Sequence, residues 1–102
     1  MATSASYIAF VSEQLDRFGD VRTKKMFGEY MVYLGEKPIF VVCDNIVYVK
    51  KLPGLAALLA GAECGFPYDG AKEHYILDIE DSELLDRLIP QLYALTPQPK
   101  KK

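Results

Sequence analysis

This sequence predicts an α+β domain of two layers, with helices on one face of an antiparallel sheet, in the order α-β-β-β-β-α-β-α. Three observations predict it. Near both ends of the 102-residue chain, apolar residues recur every three or four positions, as they do in amphipathic helices. Through the middle the period falls to two, and branched and aromatic residues dominate, as strands require. The middle segments are joined by turn signals too short for anything but antiparallel neighbours.

The first helix is predicted over residues 5–18, where Ile8, Val11, Leu15 and Phe18 share a face. Thr3 or Ser4 can cap its start, and Gly19 stands where a positive-φ end is wanted. Four strands follow, Val21–Phe27, Tyr30–Leu34, Pro38–Cys43 and Ile46–Lys51, with Gly35-Glu36-Lys37 and Asp44-Asn45 as turns. Pro38 fits only the first position of its strand, where no ladder donor is missed. The rest of that strand is apolar on both alternate sets, so both of its faces are expected to be covered. A short helix over Gly54–Ala60 opens at Pro53 and closes at Gly61. The last strand is His74–Asp78. Asp81 or Ser82 caps a final helix with a stripe of Leu84, Leu85, Leu88, Leu92 and Leu95, bent at Pro90. Residues 1–95 thus form one domain, and 96–102 a basic tail with nothing apolar to dock.

Composition limits the function. A chain of this length hides roughly two-thirds of its unfolded surface, enough for a single core. Net charge is +1 over residues 1–52, −6 over 53–95 and +3 in the tail, and the pI is near 5.3, so a coherent duplex-binding face is not expected. No apolar run is long enough to span a membrane. The N-terminus lacks the basic start of a signal peptide, so a cytoplasmic location is expected. Cys43 and Cys64 lie too far apart in sequence for a CxxC site and are expected to be reduced.

Catalytic groups are scarce. His74 is the single histidine, so the conceivable dyads are Cys43–His74 and Cys64–His74, and a histidine opening a strand is better read as packing. No ligand spacing suggests zinc, and the acids Asp78, Glu80, Asp81, Glu83 and Asp86 suit a charged helix start better than a calcium loop. No catalytic residue, metal or cofactor is assigned. Aromatics and cations in the strands are more suggestive. Tyr30, Tyr33, Tyr48 and Lys50 are the candidate partner-binding residues. Arg22, Lys24, Lys25 and Lys51 extend them into an alternative nucleic-acid surface. A third possibility is a small-molecule site between the Met26-Phe27-Gly28-Glu29-Tyr30 bend and the Tyr68–Lys72 loop, anchored by Glu29 and Lys72.

The run Arg22–Tyr33, the strands Lys37–Lys50 and the segment Pro67-Tyr68-Asp69-Gly70-Ala71-Lys72 together resemble the N-terminal domain of the TfoX/Sxy family. That resemblance spans about residues 7–95. On it, Met26, Phe27, Gly28, Glu29, Tyr68, Gly70 and Lys72 are family-motif positions, as are Tyr30, Ala71 and Lys50. The resemblance implies a non-enzymatic regulatory domain, in full-length members linked to transcription of DNA-uptake genes together with the cyclic-AMP receptor protein. The chain is expected to be a stand-alone member without the family's C-terminal helical domain, monomeric or homodimeric, with a protein partner.

Overall fold

The computed structural model describes residues 3–26 and 29–97, apart from the side chain of Met26. Phe27 and Gly28 therefore lie outside the described residues, as does the tail beyond Pro97. The elements are α1 (Ala5–Leu15), a 3-10 turn (Asp16–Phe18), β1 (Val21–Met26), β2 (Glu29–Leu34), β3 (Lys37–Cys43), β4 (Ile46–Lys50), a 3-10 turn (Pro53–Leu55), β5 (Cys64–Gly65), β6 (His74–Leu77) and α2 (Ser82–Leu95). Among the described residues, six strands join one antiparallel sheet in the order β1-β2-β3-β4-β6-β5. The fold is α+β, as expected, with one additional two-residue strand, β5.

Both helix starts are satisfied by side chains. The Ser4 hydroxyl accepts from the Tyr7 amide (3.2 Å) and the Asp81 carboxylate from the Leu84 amide (3.1 Å). The helix predicted over Gly54–Ala60 is instead the Pro53–Leu55 turn followed by irregular turns, although the Leu59 amide still reaches the Leu55 carbonyl (3.0 Å). One apolar stretch with a glycine at its second position is too short to propagate a helix. Thr96, assigned above to the tail, is buried and donates its hydroxyl to the Leu92 carbonyl (2.7 Å).

Strand register decides which side chains face the helices. One cross-strand row reads Lys25, Tyr30, Val42, Val47, Leu77. It lies under the helices, because Val42, Val47 and Leu77 share the core cluster with Val11 and Leu15 of α1 and Leu85, Leu88 and Leu92 of α2. Leu55 and Leu59 join the same cluster, so the linking segment covers that face too. Each such fully buried aliphatic side chain contributes about 1.5–3 kcal/mol.

Two local devices shape the sheet. Tyr33 pairs with Pro38 while Val32 pairs with Phe40, which leaves Ile39 as the extra residue of a β-bulge. Pro38 has no amide to give the ladder, so the irregularity falls where the ladder is already weakest. The β3–β4 hairpin turns through Asp44 (φ 53°) and Asn45 (φ 60°), the two consecutive left-handed residues of a type I′ turn. Asn45 also secures the start of α1: its Oδ1 accepts from the Ser4 amide (3.0 Å), and its amide donates to Thr3 Oγ1 (3.4 Å).

Candidate interaction face and cavity

Alternation along each strand puts a second row on the opposite face: Lys24, Met31, Val41, Tyr48, Ile76. Beside it runs the shorter row Lys50, His74, Gly65, and Tyr33 stands next to Arg22. Among the described residues α1 and the body of α2 pack on the other side, in the core cluster, and only the end of α2 comes near this one, at the cavity below. The face is nonetheless close-packed. Val41, Tyr48 and His74 are buried, while Met31, Tyr33 and Ile76 are half-buried. Gly65 fits because a Cβ there would stand 3.2 Å from Ile76 Cδ1 and 3.3 Å from Tyr48 Cε1.

The register therefore separates the four candidate partner-binding residues. Tyr33, Tyr48 and Lys50 are on the helix-free face, and Tyr30 is under the helices, packed against the core. Met31, Val41 and Ile76 complete the face and were not singled out from sequence. Their signal was available in the two-residue turn at Asp44-Asn45, which pairs even positions of β3 with odd positions of β4.

The basic residues are also divided. Arg22 and Lys24 rim the helix-free face, whereas Lys25 pairs with Tyr30 on the other. Arg22 Nε reaches Asp20 (3.4 Å). Lys51 Nζ bonds Glu73 (2.7 Å) and lies over the Tyr75 ring; the Glu73 bond, with a further one to Cys64, raises the Lys51 pKa. The Lys50 side chain has no hydrogen bond or ion pair among the described residues.

Glu29 and Lys72 do not meet. Glu29 is on β2 and Lys72 lies two residues before β6, with β3 and β4 between them, at least about 14 Å at strand spacing, and at opposite ends of the sheet, since Tyr30 is level with Leu77 and Lys72 lies beyond His74. Each instead has local company. Glu29 is close enough to Cys43 to push the thiol's pKa up, after burial and Asp44, and the Lys72 carbonyl accepts from His74 Nδ1 (2.6 Å). In the remaining motif segment Tyr68 is exposed, as is Phe66, and Gly70 takes φ 86°.

Neither dyad is assembled. Cys43 pairs with Ile46 and His74 with Lys50, four residues apart along β4, or about 13 Å. Cys64 pairs with Tyr75, so it leans to the opposite side of the sheet from His74. Among the described residues no three His, Cys, Asp or Glu are grouped to hold a metal ion.

A cavity of about 210 Å3 opens where the bulge meets the end of α2. Pro38, Ile39, Phe40 and Val41 contribute four consecutive residues to its wall, which a regular strand could not do on one side. Met31, Tyr48, Lys50 and His74 continue the wall from the helix-free face, and Leu92, Thr96 and Pro97 complete it from α2 and beyond. A shallower hollow between Gly35 and Tyr93 is lined by Phe18, Leu34 and Pro90.

Comparison with known proteins places these features in a family. Residues 13–89 match the model of the TfoX N-terminal domain. The chain is also 37% identical, over 102 residues, to the "Uncharacterized 12.7 kDa protein in trpE 5'region" of Spirochaeta aurantia, a match covering 98% of this chain and 89% of that protein. No helix among the described residues is long and apolar enough to cross a membrane.

Proposed function

Because this chain belongs to the TfoX N-terminal domain family, we propose that it is a non-enzymatic interaction domain that docks a protein partner on its helix-free sheet face. The observation that supports this most is the continuous row from Lys24 through Met31, Val41 and Tyr48 to Ile76. An apolar band with a cationic rim has the composition of an interface centre and its edge. The fold's helices bury the other face, and of their residues Leu92 of α2 is the one that shares the cavity with this row. From the family resemblance, the partner is a component or regulator of transcription. Nucleic acid is the less supported occupant, since Lys51 is engaged with Glu73 and Lys25 is across the sheet.

Affinity purification of the tagged protein from its own host, with and without nuclease, tests the reading. A protein retained through nuclease treatment by the wild type, and lost with Tyr33→Ala plus Met31→Glu while circular dichroism is unchanged, is the expected result. Retention by the double variant removes the face from the account. Recovery of nucleic acid alone, released steeply by salt, replaces the reading with phosphate binding.

A further inference from the structure

The cavity beside the β3 bulge has features that packing does not require. Its walls are mostly apolar, from Met31, Val41, Leu52 and Leu92. Lys50 is the only cation among its lining residues and has no partner among the described residues. Lys50 and His74 face each other directly across β4 and β6, which sets their Cβ atoms roughly 4.5–5.5 Å apart.

When neutral, the His74 ring is held in one tautomer. A carbonyl oxygen only accepts, so the 2.6 Å contact with Lys72 requires the proton on Nδ1, and in the neutral ring Nε2 is then an acceptor. The Tyr48 ring meets the imidazole edge-on, with 6.4 Å between ring centroids. Nε2 has no protein partner, yet no fully buried side-chain polar atom among the described residues is left unpaired. Nε2 is therefore not fully buried, and His74 lines the cavity.

We propose that this cavity binds a small 2-hydroxy carboxylic acid with an apolar body. The Lys50 ammonium takes the carboxylate. Nε2 of His74 accepts from the neighbouring hydroxyl; an amino group at that place would bring a second cation against Lys50. The hydrocarbon lies against Met31, Val41 and Leu92. At about 210 Å3 the space is below the roughly 300–1,000 Å3 of pockets for drug-sized ligands, so the occupant is a short acid and not a nucleotide. The cavity shares Met31, Val41 and Tyr48 with the proposed docking face, but the inference does not rest on the partner reading, and its test uses the purified protein alone.

Isothermal titration of the full chain with 2-hydroxy-4-methylpentanoate and 3-phenyllactate tests it. The comparison ligands are the matching acids without the hydroxyl, 4-methylpentanoate and 3-phenylpropionate. The hydroxy acids are expected to bind with Kd below about 1 mM and the deoxy acids about tenfold more weakly, as for one lost hydrogen bond in a charged cluster. Lys50→Met keeps the aliphatic stem and is expected to weaken the hydroxy acids about tenfold without changing the melting temperature of the free protein. Amide shifts in NMR should centre on His74, Lys50 and Thr96. Absence of binding by both hydroxy acids overturns the proposal, as do equal affinities for the deoxy acids, an unaffected Lys50→Met variant, or shifts centred elsewhere.

Discussion

At the scale of single residues, burial sets the behaviour of three acids. The hydroxyls of Tyr7 and Tyr48 and the thiol of Cys43 all have their pKa values raised, burial being the largest cause in each. Nearby acids add to it, Asp78 and Glu80 for Tyr7 and Asp44 for the other two. A raised pKa means that the folded protein keeps a proton that the unfolded chain releases, so stability is full below the unfolded values of 9.0 for cysteine and 10.0 for tyrosine and falls as pH rises through them. Denaturant unfolding followed from pH 8 upward is expected to show that decline, with a shallower slope in Tyr48→Phe. Since the Tyr48 hydroxyl has no hydrogen-bond partner among the described residues, Tyr48→Phe at pH 7 should change stability by less than about 0.5 kcal/mol. Tyr48→Ala removes a buried ring from the helix-free face and should cost about 2–4 kcal/mol. A small loss on Tyr48→Ala would mean that the ring packs against little.

At the scale of elements, the Asp44-Asn45 turn joins the sheet to α1. Asn45 holds a left-handed conformation and caps the Ser4 amide, so two substitutions divide its roles. Asn45→Gly keeps the conformation and loses the hydrogen bond, for an expected cost of about 1 kcal/mol. Asn45→Ala loses both and should cost about 2–3 kcal/mol, since the left-handed region is unfavourable for alanine by roughly 1–2 kcal/mol. Equal losses in equilibrium unfolding would show that the turn conformation is not strained. Element boundaries were legible where a local signal existed. Ser4 and Asp81 cap as their side chains suggest, and the strand starts and ends expected at described residues move by one residue at most. Cys64–Gly65 was not legible as a strand, because two residues carry no period and their pairing depends on β6, nearly ten residues onward. The helix expected over Gly54–Ala60 rests on Pro53 and on Leu55, Leu58 and Leu59, and the structure forms only the Pro53–Leu55 turn and irregular turns there.

At the scale of the whole molecule, sequence alternation made the two faces of the sheet legible but not which residues from different strands share one. Tyr30 and Tyr48 both occupy even positions, yet they face opposite ways. The two-residue turn at Gly35-Glu36 exchanges parity between β2 and β3, the extra residue Ile39 restores it, and the two-residue turn at Asp44-Asn45 exchanges it between β3 and β4. That bulge was invisible beforehand, although Pro38 marked the place. The same bulge brings four consecutive residues to the cavity wall, so the site least legible in the sequence comes from the sheet's main irregularity. The central claim is that the face carrying Tyr33, Met31 and Tyr48, and not the helical side, meets a protein. Its most direct test is site-specific photocrosslinking, with p-benzoylphenylalanine placed at Tyr33 in one variant and at the exposed Gln91 of α2 in another, in nuclease-treated extract of the host. A discrete protein adduct from position 33 and none from position 91 is the predicted result. An adduct from position 91 alone, or none from either position, would contradict it.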